Sequence, residues 1–86
     1  MIVNVPSPLR SYTAQRAEVE ASGDTLSALL QDLDERFPGF RFRVIDEVGR
    51  LRPHIKLFVD EESRADLSQP LASSSRVHIV CALSGG

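Results

Sequence analysis

A single amphipathic helical pattern in the first half of the chain limits the folds that it can adopt. Five large apolar residues recur there at the spacing of one helix face: Leu26, Leu29, Leu30, Leu33 and Phe37. Steps of three and four residues place such side chains in one stripe along a helix. Asp24 is the predicted N-cap, because its carboxylate would accept from the free N–H groups of the first turn, and Pro38-Gly39 is predicted to end the helix. One stripe must be buried against one surface, so the rest of the chain has to supply that surface.

Short alternating stretches on both sides of the helix predict the strands of a sheet. In a strand, every second side chain faces the same side. Val3 and Val5, followed by the alternating segment 17–21, precede the helix, and segments 55–59 and 77–81 follow it. The helix therefore has strands before it and after it, which can meet in one sheet.

The segments between these elements are less regular. Residues 40–53 are expected to form an irregular connection with a short strand or a helical turn, and residues 60–63 a charged turn. One helix laid on one face of one sheet is a two-layer α+β domain, and 86 residues suffice for one domain. The other face of the sheet is expected to remain in water.

Composition excludes several classes of function. Twelve acidic residues against ten basic ones leave a net charge of -2, whereas nonspecific nucleic-acid binding needs a basic surplus. One cysteine forms no internal disulfide and builds no zinc cage. No apolar run reaches the roughly 18 residues of a membrane span, and the first residues lack a secretory signal. We expect a cytoplasmic protein with no metal, nucleic-acid or membrane partner.

Residues with reactive side chains are isolated along the chain. His54 and His78 have no ligand or catalytic partner at a recognisable spacing, and Cys81 ends an apolar strand, where a buried and inert thiol is expected. Gly85-Gly86 is the remaining motif. Two glycines without Cβ atoms can enter a channel too narrow for side chains, although a frayed chain end would look the same.

The order of elements, together with this motif, resembles the MoaD/ThiS family of β-grasp, ubiquitin-like sulfur carriers over nearly all of the chain. The stretches that carry the resemblance are Val3-x-Val5, Gly23-Asp24-Thr25-Leu26, Leu29-Leu30 with Leu33, Gly49-x-Leu51, Ile55-x-Leu57-x-Val59, Arg64, and Val77 through Gly86. An acidic turn and an arginine after the third strand make the CysO-like branch the most similar one. The resemblance implies a mixed four- to five-stranded sheet, with a β-grasp domain over 1–83 and a flexible tail over 84–86.

The resemblance also implies a mechanism in which this protein is a carrier and not an enzyme. An ATP-dependent, ubiquitin-activating-like enzyme would adenylate the Gly86 carboxylate with ATP and magnesium, and a thiocarboxylate would then form there. Leu83, Ser84 and Gly85 would be recognised as the tail, and the sulfur would pass to a biosynthetic acceptor enzyme. The chain itself would bind no cofactor. Whether a protease first trims a longer precursor to expose Gly86 is open.

A surface for these partners is expected on the uncovered face of the sheet. Because Ile55, Leu57 and Val59 face the helix, Phe58 should point outward beside Val80 and form an apolar patch. Arg64 is a further candidate at its rim. Alternatively, the segment 40–53 folds over Phe58 and buries it.

Several functions remain compatible with the sequence. The acceptor pathway is expected to be cysteine synthesis, with molybdopterin synthesis (the chain then being a MoaD-type small subunit), thiazole synthesis or a sulfur-containing secondary metabolite as alternatives. A ubiquitin-like modifier joined to lysines through Gly86 would need the same tail. A non-covalent β-grasp binding module would not use the glycines.

Overall fold

The computed structural model describes residues 1–82. They form β1 (Ile2–Asn4), a 3-10 helix (Ser7–Thr13), β2 (Glu18–Glu20), α1 (Leu26–Arg36), α2 (Phe40–Val44), β3 (Ile55–Val59), β4 (Glu62–Arg64) and β5 (Arg76–Cys81). The main helix thus lies where the apolar stripe predicts it.

The five strands form one mixed sheet in the order β2-β1-β5-β3-β4. β1 pairs parallel with β5, and the other neighbours are antiparallel. This confirms the α+β architecture. It also adds a short edge strand, β4, in a segment that the sequence predicts only as a charged turn.

The core lies between α1 and one face of the sheet. Leu26, Leu29, Leu30 and Leu33 of α1 are all fully buried, as the helical stripe requires. The sheet contributes the alternate residues of its strands: Val3, Val19, Ile55, Leu57, Val59, Val77 and Ile79. Strand alternation therefore decides which residues meet the helix.

One local prediction is wrong, and in the segment after α1 the helical turn, rather than the short strand, is the alternative that the structure shows. The N-cap of α1 is Thr25, whose Oγ1 accepts from the Ala28 N–H at 3.1 Å, and not Asp24. The segment after α1 forms the short helix α2, in which Phe40 and Val44 are buried one turn apart. Its alternation of aromatic and arginine residues looks like a strand over so short a stretch, and only packing against α1 distinguishes the two.

The turn between β3 and β4 uses left-handed backbone without glycine. Val59 pairs with Glu62, so the loop consists of Asp60 and Glu61, with φ of 48° and 74°. Two positive φ angles match the two-residue hairpin turn whose twist suits the strands. Asp60 compensates part of the strain, since its Oδ1 accepts from the Arg76 N–H at 3.0 Å.

Candidate docking surfaces beside the tail

β5 is the strand that precedes the predicted tail in the sequence. It pairs with β1 on one side and with β3 on the other, and beyond it the Ala82 N–H donates to the His54 carbonyl at 2.7 Å. The chain is therefore fixed by main-chain hydrogen bonds up to Ala82. The predicted tail residues Leu83, Ser84, Gly85 and Gly86 lie outside the described residues.

An apolar patch lies on the face of the sheet that α1 does not cover. Phe58 is directly opposite His78, and Val80 is opposite Lys56 on the same two strands, so Phe58 and Val80 share one face. Together with Glu61 and His78 they line a shallow cleft of about 330 Å³. We call these four residues the sheet patch.

The sheet patch is partly open to solvent. Val80 is 41% exposed, and Phe58 is half-buried. The segment that was expected as a possible cover instead starts with α2, which packs on α1 and on the 3-10 helix. Phe58 is thus shielded by its neighbours in the sheet and remains available at its outer side.

The opposite half of this face is polar. The Arg76 Nη1 donates to Asn4 Oδ1 and to Glu18 Oε2, each at 3.1 Å. The face therefore divides into a charged part over β1, β2 and the start of β5, and a part over β3 and the rest of β5 in which Phe58 and Val80 lie beside His78 and Lys56.

Arg64 does not join the sheet patch. It pairs with Leu57 across β3 and β4, and directly opposite residues share a face, so Arg64 lies on the side of the core. Its guanidinium is bound to Gln69 and, at 3.0 Å, to Glu62 Oε1. The structure separates this arginine from the predicted rim.

A second cleft, of about 490 Å³, adjoins the end of β5 on the other face of the sheet. We call it the arginine cleft; it is lined by Pro8, Leu9, Ser11, Tyr12, Phe42, Arg43, Arg52, His54 and Cys81. No local pattern in the sequence marks this cleft, because its residues come from four distant segments. Cys81 is half-buried and packs against the core, where full burial was expected.

The described residues hold no obvious catalytic or metal centre. Within residues 1–82, no group of three or more His, Cys, Asp and Glu side chains is placed to hold a metal ion. No helix in the same range is long and apolar enough to cross a membrane. Beside the last strand, this part of the chain presents two open clefts, one on each face of the sheet.

Comparison with known proteins places the chain in a family. The model of the ThiS family matches residues 3–86. The sulfur carrier protein CysO of Mycobacterium tuberculosis is 33% identical over 89 residues, which cover 98% of this chain and 96% of that protein.

Solved structures agree with this assignment. Mycobacterium tuberculosis CysO superposes with a TM-score of 0.89 at 31% identity, covering 95% of this chain and 98% of that one. A chain of the Amycolatopsis orientalis BexX/CysO complex gives 0.90 at 27% identity, covering 99% and 98%. SAMP1 from Haloferax volcanii gives 0.78 at 25% identity, covering 100% and 98%. The mixed five-stranded sheet with its one main helix is thus the ubiquitin-like β-grasp fold, and the chain belongs to the ThiS family as a CysO-like member.

Proposed function

We propose that this protein carries sulfur as a thiocarboxylate on Gly86. As a CysO-like member of its family it is a sulfur carrier, a protein cosubstrate and not an enzyme. The observation that supports the chemistry best is that the family match continues to residue 86 and so includes Gly85-Gly86. In the described part, β5 leads towards this motif from a position fixed on both sides by strand pairing.

The proposed reaction starts from an unreactive group. A free carboxylate is a poor acyl donor, so an ATP-dependent activating enzyme joins the Gly86 carboxylate oxygen to the α-phosphorus of ATP, and pyrophosphate leaves. Hydrosulfide then attacks the acyl carbon and displaces AMP, which leaves a thiocarboxylate. ATP and magnesium bind to the activating enzyme, and this chain binds no cofactor of its own.

The contribution of this chain is to present the reacting carbon. Strand pairing on both sides of β5, and the hydrogen bond from Ala82 to His54, keep the root of the tail in one place. A partner that docks on the rigid domain therefore receives the tail at a defined distance, and positioning of this kind can replace a large part of an entropic barrier. Leu83, Ser84 and Gly85 are the proposed recognition residues of the tail.

The proposed acceptor is an enzyme of cysteine synthesis. The resemblance to CysO supports this choice, and acceptors in molybdopterin, thiazole or secondary metabolism are the alternatives. Each acceptor yields a different sulfur product from the same thiocarboxylate, so product analysis distinguishes them.

Intact mass spectrometry tests the carrier function. The protein is incubated with ATP, magnesium, sulfide and an ATP-dependent, ubiquitin-activating-like enzyme. We expect a mass gain equal to the exchange of one oxygen for one sulfur, located at Gly86 by fragmentation. A variant that lacks Gly86 serves as the control, since its domain should fold unchanged by circular dichroism and gain no mass. Sulfur carried by this truncated variant would contradict the proposal.

A second candidate function is that of a protein modifier. It is favoured by the structural likeness to SAMP1, a small archaeal modifier protein. The same incubation with added cell extract distinguishes the two, because a modifier forms an isopeptide adduct to a lysine. A protein that shows neither change would be a non-covalent binding module.

A further inference from the structure

We propose that the arginine cleft binds an acidic segment of a partner protein that acts on the tail. The cleft is open between the 3-10 helix, α2 and the start of β3, on the opposite face of the sheet from the sheet patch. That the partner acts on the tail rests on the proposed function. The preference of the cleft for carboxylates rests on its own residues.

The charge of the cleft contrasts with that of the protein. Arg43, Arg52 and His54 line it, and no aspartate or glutamate does, although the whole chain carries a net charge of -2. Local positive charge on an acidic protein attracts acidic groups and favours them over basic ones. The overall acidity argues against nucleic acid as the occupant.

Both arginines are held in place by contacts that leave their outer edges open. The Arg43 guanidinium lies 5.5 Å from the Tyr12 ring centre, and its Nε donates to the Tyr12 hydroxyl. The Arg52 guanidinium lies 4.6 Å from the Phe42 ring centre, and its Nε donates to the Phe42 carbonyl at 2.7 Å. In each case the guanidinium lies near one aromatic ring and donates one of its five N–H groups.

The remaining N–H groups are the ones that bind carboxylates. Within residues 1–82, neither Arg43 nor Arg52 belongs to an ion pair. Asp46 forms no ion pair with Arg52, and its Oδ1 accepts from the N–H groups of Val48 and Arg50, each at 3.0 Å. A guanidinium that is already oriented loses little freedom on forming a two-pronged bond to a carboxylate.

The cleft fits a peptide better than a lone anion. Leu9 is buried at its floor, and Pro8 and the half-buried Cys81 add apolar surface. Two arginines on two different rings offer two separate carboxylate positions. The matching occupant is a segment with an apolar residue between acidic ones.

The position of the cleft suggests what the partner does. His54 and Cys81 line it, and the His54 carbonyl accepts the Ala82 N–H, so the cleft adjoins the last described residue. A protein segment bound there lies at the root of the tail. The sheet patch remains free on the other face, which gives the carrier a separate surface for each of two partners.

NMR titration of the full-length, isotope-labelled protein tests this inference. The probe is the acetylated and amidated peptide EELEE, and its neutral counterpart is QQLQQ. We expect saturable shifts for the amides of Tyr12, His54 and Cys81 with EELEE only. We expect added salt to weaken the binding, because the contacts are partly exposed ion pairs.

Matched variants locate the binding. R43Q/R52Q should weaken EELEE binding by about tenfold or more, while R16Q/R50Q, which removes the same charge elsewhere, should leave it unchanged. R43K/R52K, which retains the charge and loses the planar fork, should bind with intermediate affinity.

Five results would overturn the inference. They are the absence of shifts with EELEE, equal shifts with QQLQQ, shifts centred on Phe58 and His78, equal losses in both glutamine pairs, and binding of inorganic phosphate or ATP in place of EELEE. The titration needs no sulfur transfer. A protein that forms the thiocarboxylate but ignores the peptide would therefore keep the proposed function and lose this inference.

Discussion

At the scale of single residues, Gly23 shows how closely the β2–α1 connection approaches the helix. A Cβ built at Gly23 would lie 2.4 Å from the Leu29 backbone nitrogen and 2.8 Å from the Ala28 carbonyl carbon. These atoms belong to the helix backbone and cannot rotate away. Glycine is therefore required here for space.

Replacing this glycine should destabilise the protein. Gly23→Ala forces the connection and α1 apart, and we expect a loss of about 1–3 kcal/mol or more in the free energy of unfolding, measured by urea denaturation. Gly49→Ala is the control, because nothing lies within 4 Å of its added Cβ and only its φ of 85° opposes alanine. Gly49→Ala should cost about 1 kcal/mol. A larger loss at Gly49 than at Gly23 would contradict this account.

The helix cap is a residue-scale detail that local rules do not decide. Asp24 and Thr25 are adjacent and both are good cap residues. Thr25 takes the position because the Asp24 carbonyl accepts from the Leu71 N–H at 2.7 Å, which ties Asp24 to a loop 47 residues further along. A contact over that distance is invisible in a local pattern.

At the scale of elements, one carboxylate links α1 to the end of β2. Asp32 Oδ2 accepts from the Ser22 N–H at 2.9 Å and from Arg36 Nε at 2.8 Å. The Ser22 N–H and, after it, Arg36 lower the pKa of the Asp32 carboxyl from its ordinary value of 3.8. Protonation would remove the charge that both donors favour.

This link should make the free energy of unfolding depend on pH in the acid range. A carboxyl whose pKa is lower in the folded state stabilises the fold above the ordinary pKa and loses that contribution as the pH falls through the folded pKa. We expect Asp32→Asn to be less stable at pH 7 by about 1 kcal/mol or less, and to lose less free energy of unfolding than the parent between about pH 4 and pH 2. Urea denaturation at a series of pH values measures both.

A second variant controls for the loss of one charge on the helix. Glu35 is exposed on α1, so Glu35→Gln removes one negative charge from the helix and leaves the Asp32 link in place. An unchanged acid profile in Asp32→Asn would show that the link contributes nothing.

The other helices and strands show which sequence patterns predict secondary structure and which do not. The stripe of leucines places α1 correctly, because eleven residues contain three turns of one periodicity. None of the three residues of β4 is apolar, so no alternation marks it and it is absent from the sequence prediction. The alternation over 40–44 leaves a strand and a helical turn open, because a five-residue segment fits both equally well.

At the scale of the whole molecule, the two faces of the sheet have different surroundings. One face is filled by α1, and the other presents the sheet patch, in which Phe58 and Val80 come together from adjacent strands. Exposed apolar residues on neighbouring strands, beside the root of the proposed tail, are typical of a partner site, and we propose that the activating enzyme docks there.

Removing this apolar surface should impair docking and leave the fold intact. F58T/V80T retains residues that favour strands and replaces the apolar contacts. We expect its affinity for the activating enzyme, measured by titration calorimetry, to fall by about tenfold or more. Val48→Thr is the control, because Val48 is an exposed valine, 71% accessible, away from the patch. Equal affinities for all three proteins would exclude the sheet patch as the docking surface.

The sequence by itself determined which residues of α1, β3 and β5 face the core and which family the chain resembles. Both follow from local information: the period of the α1 stripe, the alternation in β3 and β5, and short motifs such as Gly85-Gly86. Tertiary structure alone decided the rest. The pairing of β1 with β5 and the assembly of the arginine cleft join residues that are far apart in the chain. The position of Arg64 on the core side of the sheet follows from the pairing of β4 with β3. Such contacts depend on how the whole sheet closes over its core, and no local period in the sequence encodes that closure.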